Sequence, residues 1–336
     1  MAKCYTGIST MSYTITQESF DSLAACSEDP QCTLGWNSVF VLPVWLKLWW
    51  QEFKPEAELY LGAVRREGKV IGIAPLKLKD GKASFIGSAD VCDYLDFVVI
   101  PGAESDFFRV LLDDLKQKGI NRLDLQCLRP ESIVLTRLVD IARNRGYEVV
   151  CGPEDVSVEL ELPSTFEEYL ETLETKQRHE VKRKLRKLLE AGKIDFRIIK
   201  DSAAVRQGMD TFLKMFTESR SDKAAFLTSQ KESFFRSLAD TMTGARLLRM
   251  GILELDGLPT AMILYFDFKG GAYLYNSGYD PRYTSLSVGL MSKVMCIQEC
   301  INQGKKKYDF LKGNEIYKYH LGGREVALSN CQITIK

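Results

Sequence analysis

Alternating apolar and polar runs separated by short glycine turns predict antiparallel hairpins in both halves of the chain. The runs have the alternation and the residue types typical of strands. A polar residue followed by glycine between two such runs is a hairpin signal, because the turn requires positive φ. These turns are Glu67-Gly68, Asp80-Gly81, Asp256-Gly257 and Lys269-Gly270.

Helices are predicted where apolar residues recur at helical spacing. Trp45, Trp49 and Phe53 form such a stripe after Pro43, a favoured first-turn residue. We interpret the stripe as a helix packed on a sheet, with a carbohydrate or lipid platform as the alternative. Further helices are predicted over 105–118, 131–145, 203–219, 230–241 and 285–303, and a strongly basic helix from Lys176 onward.

An internal repeat divides the chain. Shifting the sequence by 189 positions lays the turns, strands and helix of one half on those of the other. Matched pairs are Gly68 with Gly257, Gly81 with Gly270, Ser88 with Ser277 and, after a slip of four residues, Gly119 with Gly304 and Asp124 with Asp309. We interpret the halves as two copies of one β-rich α/β unit, over 12–152 and 153–336, with a linker at 152–155 and a disordered lead-in over 1–11.

The two copies differ at the place where chemistry is expected. In the second, a strand over 272–277 and a turn lead through a loop of small residues, 285–289, into a helix. In the first, a strand over 94–100 occupies that position. A helix start offers free N–H groups and the positive end of a dipole, which suit an anionic ligand such as a phosphate. The second copy is therefore predicted to bind a ligand, and the first to bind no cofactor.

The composition limits the classes of binding partner that we expect. The 336 residues include 45 Lys and Arg against 45 Asp and Glu, so no global field favours nucleic acid or anionic lipid, and any anion site must be local. Two histidines and nine cysteines without a CxxC pair provide no metal set, and the cysteines are expected to be buried free thiols. Without a signal peptide or 18 consecutive apolar residues, we expect a cytoplasmic protein with no membrane insertion.

Two segments of the second half carry a family resemblance. Tyr273–Gly289 contains GYDP, a further tyrosine and LSVG, and Tyr308–Lys318 contains DFLKG and YK. The basic helix adds the pattern K.R.E..R..R, and the first half adds the Trp36 region and Asp93-Tyr-Leu-Asp96. Together these motifs resemble the CelD-like branch of the GNAT acyltransferase superfamily, whose members are related to the Fem-type peptidoglycan-bridge transferases.

The resemblance implies a mixed α+β (α/β) fold of two tandem GNAT-like domains, each with a mixed, mostly antiparallel sheet flanked by helices. It also implies acetyl-CoA or another acyl-CoA as cofactor in the second domain. The loop 285–289 departs from the usual GNAT phosphate loop because it has fewer glycines and no basic residue. The implied cofactor contacts are Tyr275, Asn276, Ser277, Gly278, Ser285, Leu286, Ser287, Val288 and Gly289.

Candidate chemistry lies around this cofactor segment. Asp309 can deprotonate the acceptor or serve a structural role, and Tyr317 can contact the acceptor or the leaving group. Spacing in the basic helix favours Lys176, Arg178 and Arg183 as anion-binding residues, and we expect Lys182, Lys184 and Lys187 to be solvated. Tyr279 and Lys318 are the remaining predicted substrate contacts. No nucleophile set is present, so direct transfer is expected.

The predicted function is acyl-CoA-dependent N- or O-acyl transfer, most simply acetylation, to a sugar-derived or cell-envelope polysaccharide precursor. Nucleic acid enters only under one alternative, an aminoacyl-tRNA-dependent transferase of the Fem type. A second alternative is a non-catalytic scaffold of the same fold in polysaccharide assembly.

Overall fold

The chain folds into two compact units. The computed structural model describes residues 12–336, so the predicted lead-in over 1–11 lies outside the described residues. The first unit contains 12–46, 55–153 and 329–336, and the second contains 47–54 and 154–328. The predicted domains, 12–152 and 153–336, differ from these units because 47–54 groups with the second unit and 329–336 with the first.

Strands follow the predicted hairpins closely. In chain order they are β1 (Tyr13–Gln17), β2 (Glu58–Arg66), β3 (Lys69–Lys79), β4 (Lys82–Phe85), β5 (Val98–Val99), β6 (Arg122–Leu128), β7 (Glu148–Glu161), β8 (Ile194–Ile199), β9 (Leu248–Leu255), β10 (Leu258–Phe268), β11 (Gly271–Tyr279), β12 (Lys307–Lys312) and β13 (Arg324–Thr334). All four predicted turns have positive φ at both residues, as hairpin turns require.

Helices flank the strands. They are α1 (Phe20–Glu28), α2 (Pro43–Phe53), α3 (Glu104–Gln117), α4 (Val139–Asn144), α5 (Phe166–Thr172), α6 (Thr175–Glu190), α7 (Ser202–Ser219), α8 (Ser221–Phe226), α9 (Ser229–Gly244), α10 (Val288–Asn302) and α11 (Ile316–His320). Short 3-10 turns cover Val39–Val41 and Pro281–Leu286, and a π turn over Val134–Leu138 precedes α4. Among residues 12–336, no helix combines the length and apolar character needed to cross a membrane.

Each unit has a mixed, mostly antiparallel sheet, and the predicted fold class is confirmed. In the first unit the strand order is β1-β2-β3-β4-β6-β13, with β5 beside β3. In the second the order is β7-β12-β11-β10-β9-β8. One pair in each unit is parallel, β4 with β6 and β11 with β12. The helix between the parallel strands, α3 or α10, makes the crossover that such a pair needs.

The structure changes two predicted segments. The expected linker at 152–155 coincides with the boundary between the units, at 153–154, but its residues lie inside one continuous strand, β7. The pairing of β7 with β12 is confined to Ser157–Glu161 and so does not involve Pro153. The expected strand over 94–100 is reduced to β5. There the Asp96 carboxylate accepts hydrogen bonds from the N–H groups of Phe97 and Ile133, which favours a loop.

Two cysteines also differ from expectation. Cys151 and Cys331 form a disulfide within the first unit, with Cα atoms 4.1 Å apart. Cys296 and Cys300 are free thiols, as predicted, and lie buried in the core of the second unit. That core also contains Met291, Val294 and Ile297 of α10, packed with residues of β10, β11 and α5. It fixes α10 against the strand that precedes it.

Gly278 marks the closest approach of β11 to α7. A Cβ atom there would lie 2.4 Å from the backbone nitrogen of Phe216 and 2.6 Å from the carbonyl carbon of Met215. Backbone atoms of a packed helix cannot yield as a flexible side chain can. The glycine predicted as a cofactor contact therefore has a packing role between strand and helix.

We expect Gly278→Ala to lower the free energy of unfolding by about 1–3 kcal/mol, because the added methyl group overpacks this contact. Gly244→Ala is the matched control, since no atom lies within 4 Å of a Cβ built there, and a change within about 0.5 kcal/mol is expected. Urea unfolding of both variants measures the difference, and equal stabilities would contradict the packing role.

Candidate functional site

The candidate site begins where two parallel strands separate. β11 and β12 pair only from Gly271–Tyr273 to Lys307–Asp309. Beyond this point β12 turns away, with positive φ at Leu311 and a shifted register against β7. The diverging ends enclose a cleft of about 430 Å³.

Four parts of the second unit line this cleft. Strand β11 provides one wall, the start of α10 a second, and the end of β12 with α11 a third, while α6 and the α7–α8 junction add basic side chains. The lining residues are Lys184, Arg220, Lys223, Leu274, Tyr275, Asn276, Ser277, Tyr279, Thr284, Ser287, Val288, Gly289, Leu290, Lys293, Phe310, Lys312, Glu315, Tyr317 and Lys318.

Most of the predicted cofactor residues come together here, with three exceptions. Gly278 packs on α7, and Ser285 and Leu286 lie in the 3-10 turn outside the lining. The Ser285 carbonyl accepts a hydrogen bond of 2.9 Å from Lys187 Nζ, and Leu286 packs on the core. The six that line the cleft are Tyr275, Asn276, Ser277, Ser287, Val288 and Gly289.

The start of α10 has an unusual conformation. Ser287 adopts left-handed φ and ψ of 56° and 33°, and the helix begins at Val288 rather than at the predicted Ser285. No side chain caps the helix at Ser287. Gly289 lets the ring of Tyr279 lie against the first turn, since a Cβ atom would be 2.7 Å from that ring. The first N–H groups of the helix have no intrahelical acceptor.

Tyr317 lies on α11. Its ring is 5.0 Å from Lys293 Nζ and 6.2 Å from the ring centroid of Phe310. Burial, with a smaller effect from Glu315, raises the pKa of the Tyr317 hydroxyl far above its usual value. The hydroxyl therefore retains its proton and can donate a hydrogen bond.

Asp309 is not placed for the predicted catalytic role. Its side chain is fully buried, Oδ1 accepts a 2.9 Å hydrogen bond from the Leu311 N–H, and Oδ2 lies 3.2 Å from Lys307 Nζ. Asp309 is also outside the cleft lining. A general base must reach the proton that it removes, so the geometry gives this carboxylate the structural role of fixing the bend in β12.

Lys318 is likewise committed to structure. Its side chain is 2% exposed, and Nζ donates to the carbonyls of Leu311, Lys312 and Gly313 at 3.1, 2.6 and 3.0 Å. The same nitrogen lies 3.0 Å from a Glu315 carboxylate oxygen. An ammonium group has three N–H donors, so the predicted substrate contact has none left to offer.

The basic helix α6 presents a different face from the predicted one. Lys176 is exposed, and Arg183 forms a bidentate pair with Glu180 outside the cleft. Arg178 is half-buried but is also absent from the lining. Lys184, predicted to be solvated, lines the cleft instead. The inner face is set by the apolar residues Val181, Leu185 and Leu188, a signal that the spacing of charges does not contain.

Two lysines of the cleft, the buried Lys293 and the half-buried Lys223, were missed by the sequence reasoning. Lys223 Nζ donates to the Ser277 carbonyl, and Lys293 Nζ donates to the Gly289 carbonyl at 2.8 Å. Burial, reinforced by the charge of Arg220, lowers the pKa of Lys223 to about 8. Burial, reinforced by the charge of Lys223, lowers the pKa of Lys293 to about 7. Lys293 stands among apolar residues of α10, and that position was the available sequence signal.

The pKa of Lys293 generates a stability prediction. Its native value of about 7 lies below the ordinary 10.5, so between these pH values the unfolded state binds more protons than the native state. The unfolding free energy should therefore rise with pH in this window. We expect the unfolding free energy of wild type minus that of Lys293→Met, measured in urea, to rise from pH 7 to 10.5. Lys182→Met, on the exposed face of α6, is the control, and a pH-independent difference for Lys293→Met would contradict the assignment.

Comparisons with known proteins agree with this geometry. Residues 175–319 match the family model described as an acetyltransferase (GNAT) domain, and the whole cleft lining falls within this segment. Among curated proteins no significant match is found.

Solved structures show the same fold over nearly the whole chain. FemX is 12% identical, with 95% of this chain and 96% of that chain covered and a TM-score of 0.65. A conserved protein of unknown function from Bacteroides thetaiotaomicron is 11% identical, with 95% and 99% covered and a TM-score of 0.62. Identities this low establish the fold alone. The family match over residues 175–319, less than half of the chain, supports a transferase of the GNAT type, and the solved structures add the fold.

Proposed function

We propose that this chain is an acyl-CoA-dependent N- or O-acyltransferase, most simply an acetyltransferase, that transfers the acyl group directly to its acceptor. The observation that carries the proposal is the convergence of three features on one cleft. They are the separated strands β11 and β12, the start of α10, and the protonated hydroxyl of Tyr317. All three lie inside the segment that matches the GNAT domain.

The residues present fit an acyl-CoA. The main chain of β11 from Tyr275 to Ser277 faces the cleft beyond its pairing with β12, which suits the amide groups of a pantetheine arm. The open N–H groups at the start of α10, with Lys184 nearby in the lining, suit phosphates. When bound, the cofactor supplies a thioester whose acyl carbon is open to attack by an amine or hydroxyl.

Two side chains assist the acyl transfer. Tyr317 donates a hydrogen bond to the leaving sulfur, which takes up the proton released by the acceptor's amine or hydroxyl, and the phenol stays protonated because burial raises its pKa. Glu315 is the carboxylate of the lining. Burial, the largest single effect, would raise its pKa, but the charge and hydrogen bond of Lys318, a backbone hydrogen bond and the charge of Arg220 together outweigh burial, so the pKa lies below its usual value and the group is ionised. It accepts a hydrogen bond from the N–H or O–H of the acceptor, in place of Asp309.

The finer assignments rest on the sequence motifs. The motifs in Tyr273–Gly289 and Tyr308–Lys318 support the CelD-like branch. With that branch we propose a sugar-derived or cell-envelope polysaccharide precursor as the acceptor, and the cytoplasm as the place of reaction.

One observation favours a second candidate, an aminoacyl-tRNA-dependent transferase. The fold is shared with FemX over 95% of this chain. In addition, the exposed face of α6 carries Lys176, Lys182 and Arg186, which can contact a phosphate backbone. This candidate requires donor binding that weakens steeply with salt, because each phosphate contact releases counterions.

Calorimetric titration separates the candidate donors. Acetyl-CoA, longer acyl-CoAs and a charged tRNA are titrated into the full chain, and we expect heat with the acyl-CoAs alone. Binding of charged tRNA alone would replace the proposal with the second candidate. Heat with none of them would favour the scaffold alternative.

Tyr317→Phe tests this hydrogen-bond donor. We expect turnover to fall by roughly 100-fold or more, as for loss of one donor to a developing negative charge, while CoA affinity changes little because the ring remains. Tyr319→Phe on the same helix is the matched control, since that hydroxyl donates to Glu325 outside the cleft. Release of free thiol measures turnover. Equal losses in the two variants, or none in Tyr317→Phe, would remove Tyr317 from the chemistry.

A further inference from the structure

The cleft contains two lysine side chains that form no ion pair with a carboxylate of the described part of the chain. Within residues 12–336, neither Lys223 Nζ nor Lys293 Nζ has an Asp or Glu oxygen at ion-pair distance. Their hydrogen bonds go to main-chain carbonyls, at Ser277 and Gly289. Each ammonium also lies near an aromatic ring, with Lys223 4.9 Å from Phe216.

The one carboxylate in the lining is already engaged. Glu315 lies 3.0 Å from Lys318 Nζ and 3.9 Å from an Arg220 nitrogen. Arg220 is paired in addition with Asp222, which is largely exposed. Lys184 and Lys312 add further positive charge to the same walls. A chain with balanced charges overall thus concentrates positive charge in this cleft.

Such an arrangement is costly without a ligand. A buried charge is expensive unless an opposite charge accompanies it. The lowered pKa values of Lys223 and Lys293 express this cost. An anionic group between the two ammonium groups would remove the cost and gain charge-assisted hydrogen bonds from both.

The positions of the two lysines relate this anion to the reaction centre. Lys223 donates to the Ser277 carbonyl of β11. Lys293 donates to the Gly289 carbonyl, in the first turn of α10 where we placed the donor's phosphates, and its Nζ lies 5.0 Å from the ring of Tyr317. Because both side chains line the cleft together with β11 and Tyr317, we assign them to the acceptor, and competition with CoA tests that assignment.

We propose that Lys223 and Lys293, with Arg220 at the rim, bind a carboxylate or phosphate of the acceptor, so that the enzyme acylates molecules carrying negative charge close to the reacting amine or hydroxyl. The inference rests on the proposed function and narrows its acceptor class. Glu315 then contacts the nucleophile and the lysines contact the anion, which orients the acceptor by two opposite charges.

The test uses pairs of small amines, one member of each pair carrying an anionic group. O-phosphoethanolamine is compared with ethanolamine, and β-alanine with β-alaninamide, by calorimetric titration into the full chain with and without saturating CoA. At least one probe with a phosphate or carboxylate should bind about tenfold more tightly than its partner without one, and CoA should not weaken it. In Lys223→Met and Lys293→Met this preference should fall below about threefold.

Two control variants, and the choice of methionine in the test variants, keep the result interpretable. Methionine retains the aliphatic stem of each lysine and removes only the charge. Lys223→Arg keeps the charge and should keep the preference, so a loss there would point to altered packing and overturn the charge argument. Lys182→Met, on the outer face of α6, should behave as wild type.

The outcomes separate the two proposals. Equal binding of the probes with and without an anionic group, while CoA binds, would overturn the anionic acceptor and leave the proposed function standing. Competition between the anionic probe and CoA would assign the lysines to the donor's phosphates and also overturn it. If CoA fails to bind but the lysine-dependent preference persists, the anion site stands and the acyl-CoA donor falls.

Discussion

The cleft of the second unit exists because two parallel strands, β11 and β12, separate. β12 follows β11 for three residue pairs and then bends, with positive φ at Leu311. The buried Asp309 carboxylate accepts a hydrogen bond from the Leu311 N–H, and Lys318 Nζ donates to the carbonyls of residues 311, 312 and 313. Backbone groups that lose a neighbouring strand must find other partners. These two side chains satisfy the end of β12 and leave the wall of β11 to face a ligand.

The first unit meets the same constraint with its own chain. β4 and β6 also pair for three residues and then part, and Cys127 has the same positive φ as Leu311. Here the loop before β5 enters the gap, and the Leu95 N–H donates to the Cys127 carbonyl at 3.0 Å. A segment of the protein thus occupies the position that, in the second unit, is lined by basic side chains.

The predictable and unpredictable parts of the structure have different physical origins. Hairpin turns such as Asp80-Gly81 are local, because the backbone conformation itself requires glycine. The inward face of α6 was missed because apolar Val181 and Leu188, and not the row of charges, decide which side packs. Asp309 resembled a base in sequence, and only tertiary packing shows it buried. Lys223 lies on a short helix that has no recognisable periodicity in the sequence. Its hydrogen bond to the Ser277 carbonyl could therefore not be predicted from the sequence.

The last strand gives the chain a long-range dependence. β13 pairs with β6, yet residues 154–328 between them form most of the other unit. The sheet of the first unit thus remains incomplete, with β6 as an open edge, until a strand made some 200 positions later has joined it. Folding during synthesis cannot proceed simply from one unit to the next, as it does in chains whose domains are continuous in sequence. The first unit therefore completes its folding only after the second unit has been synthesised.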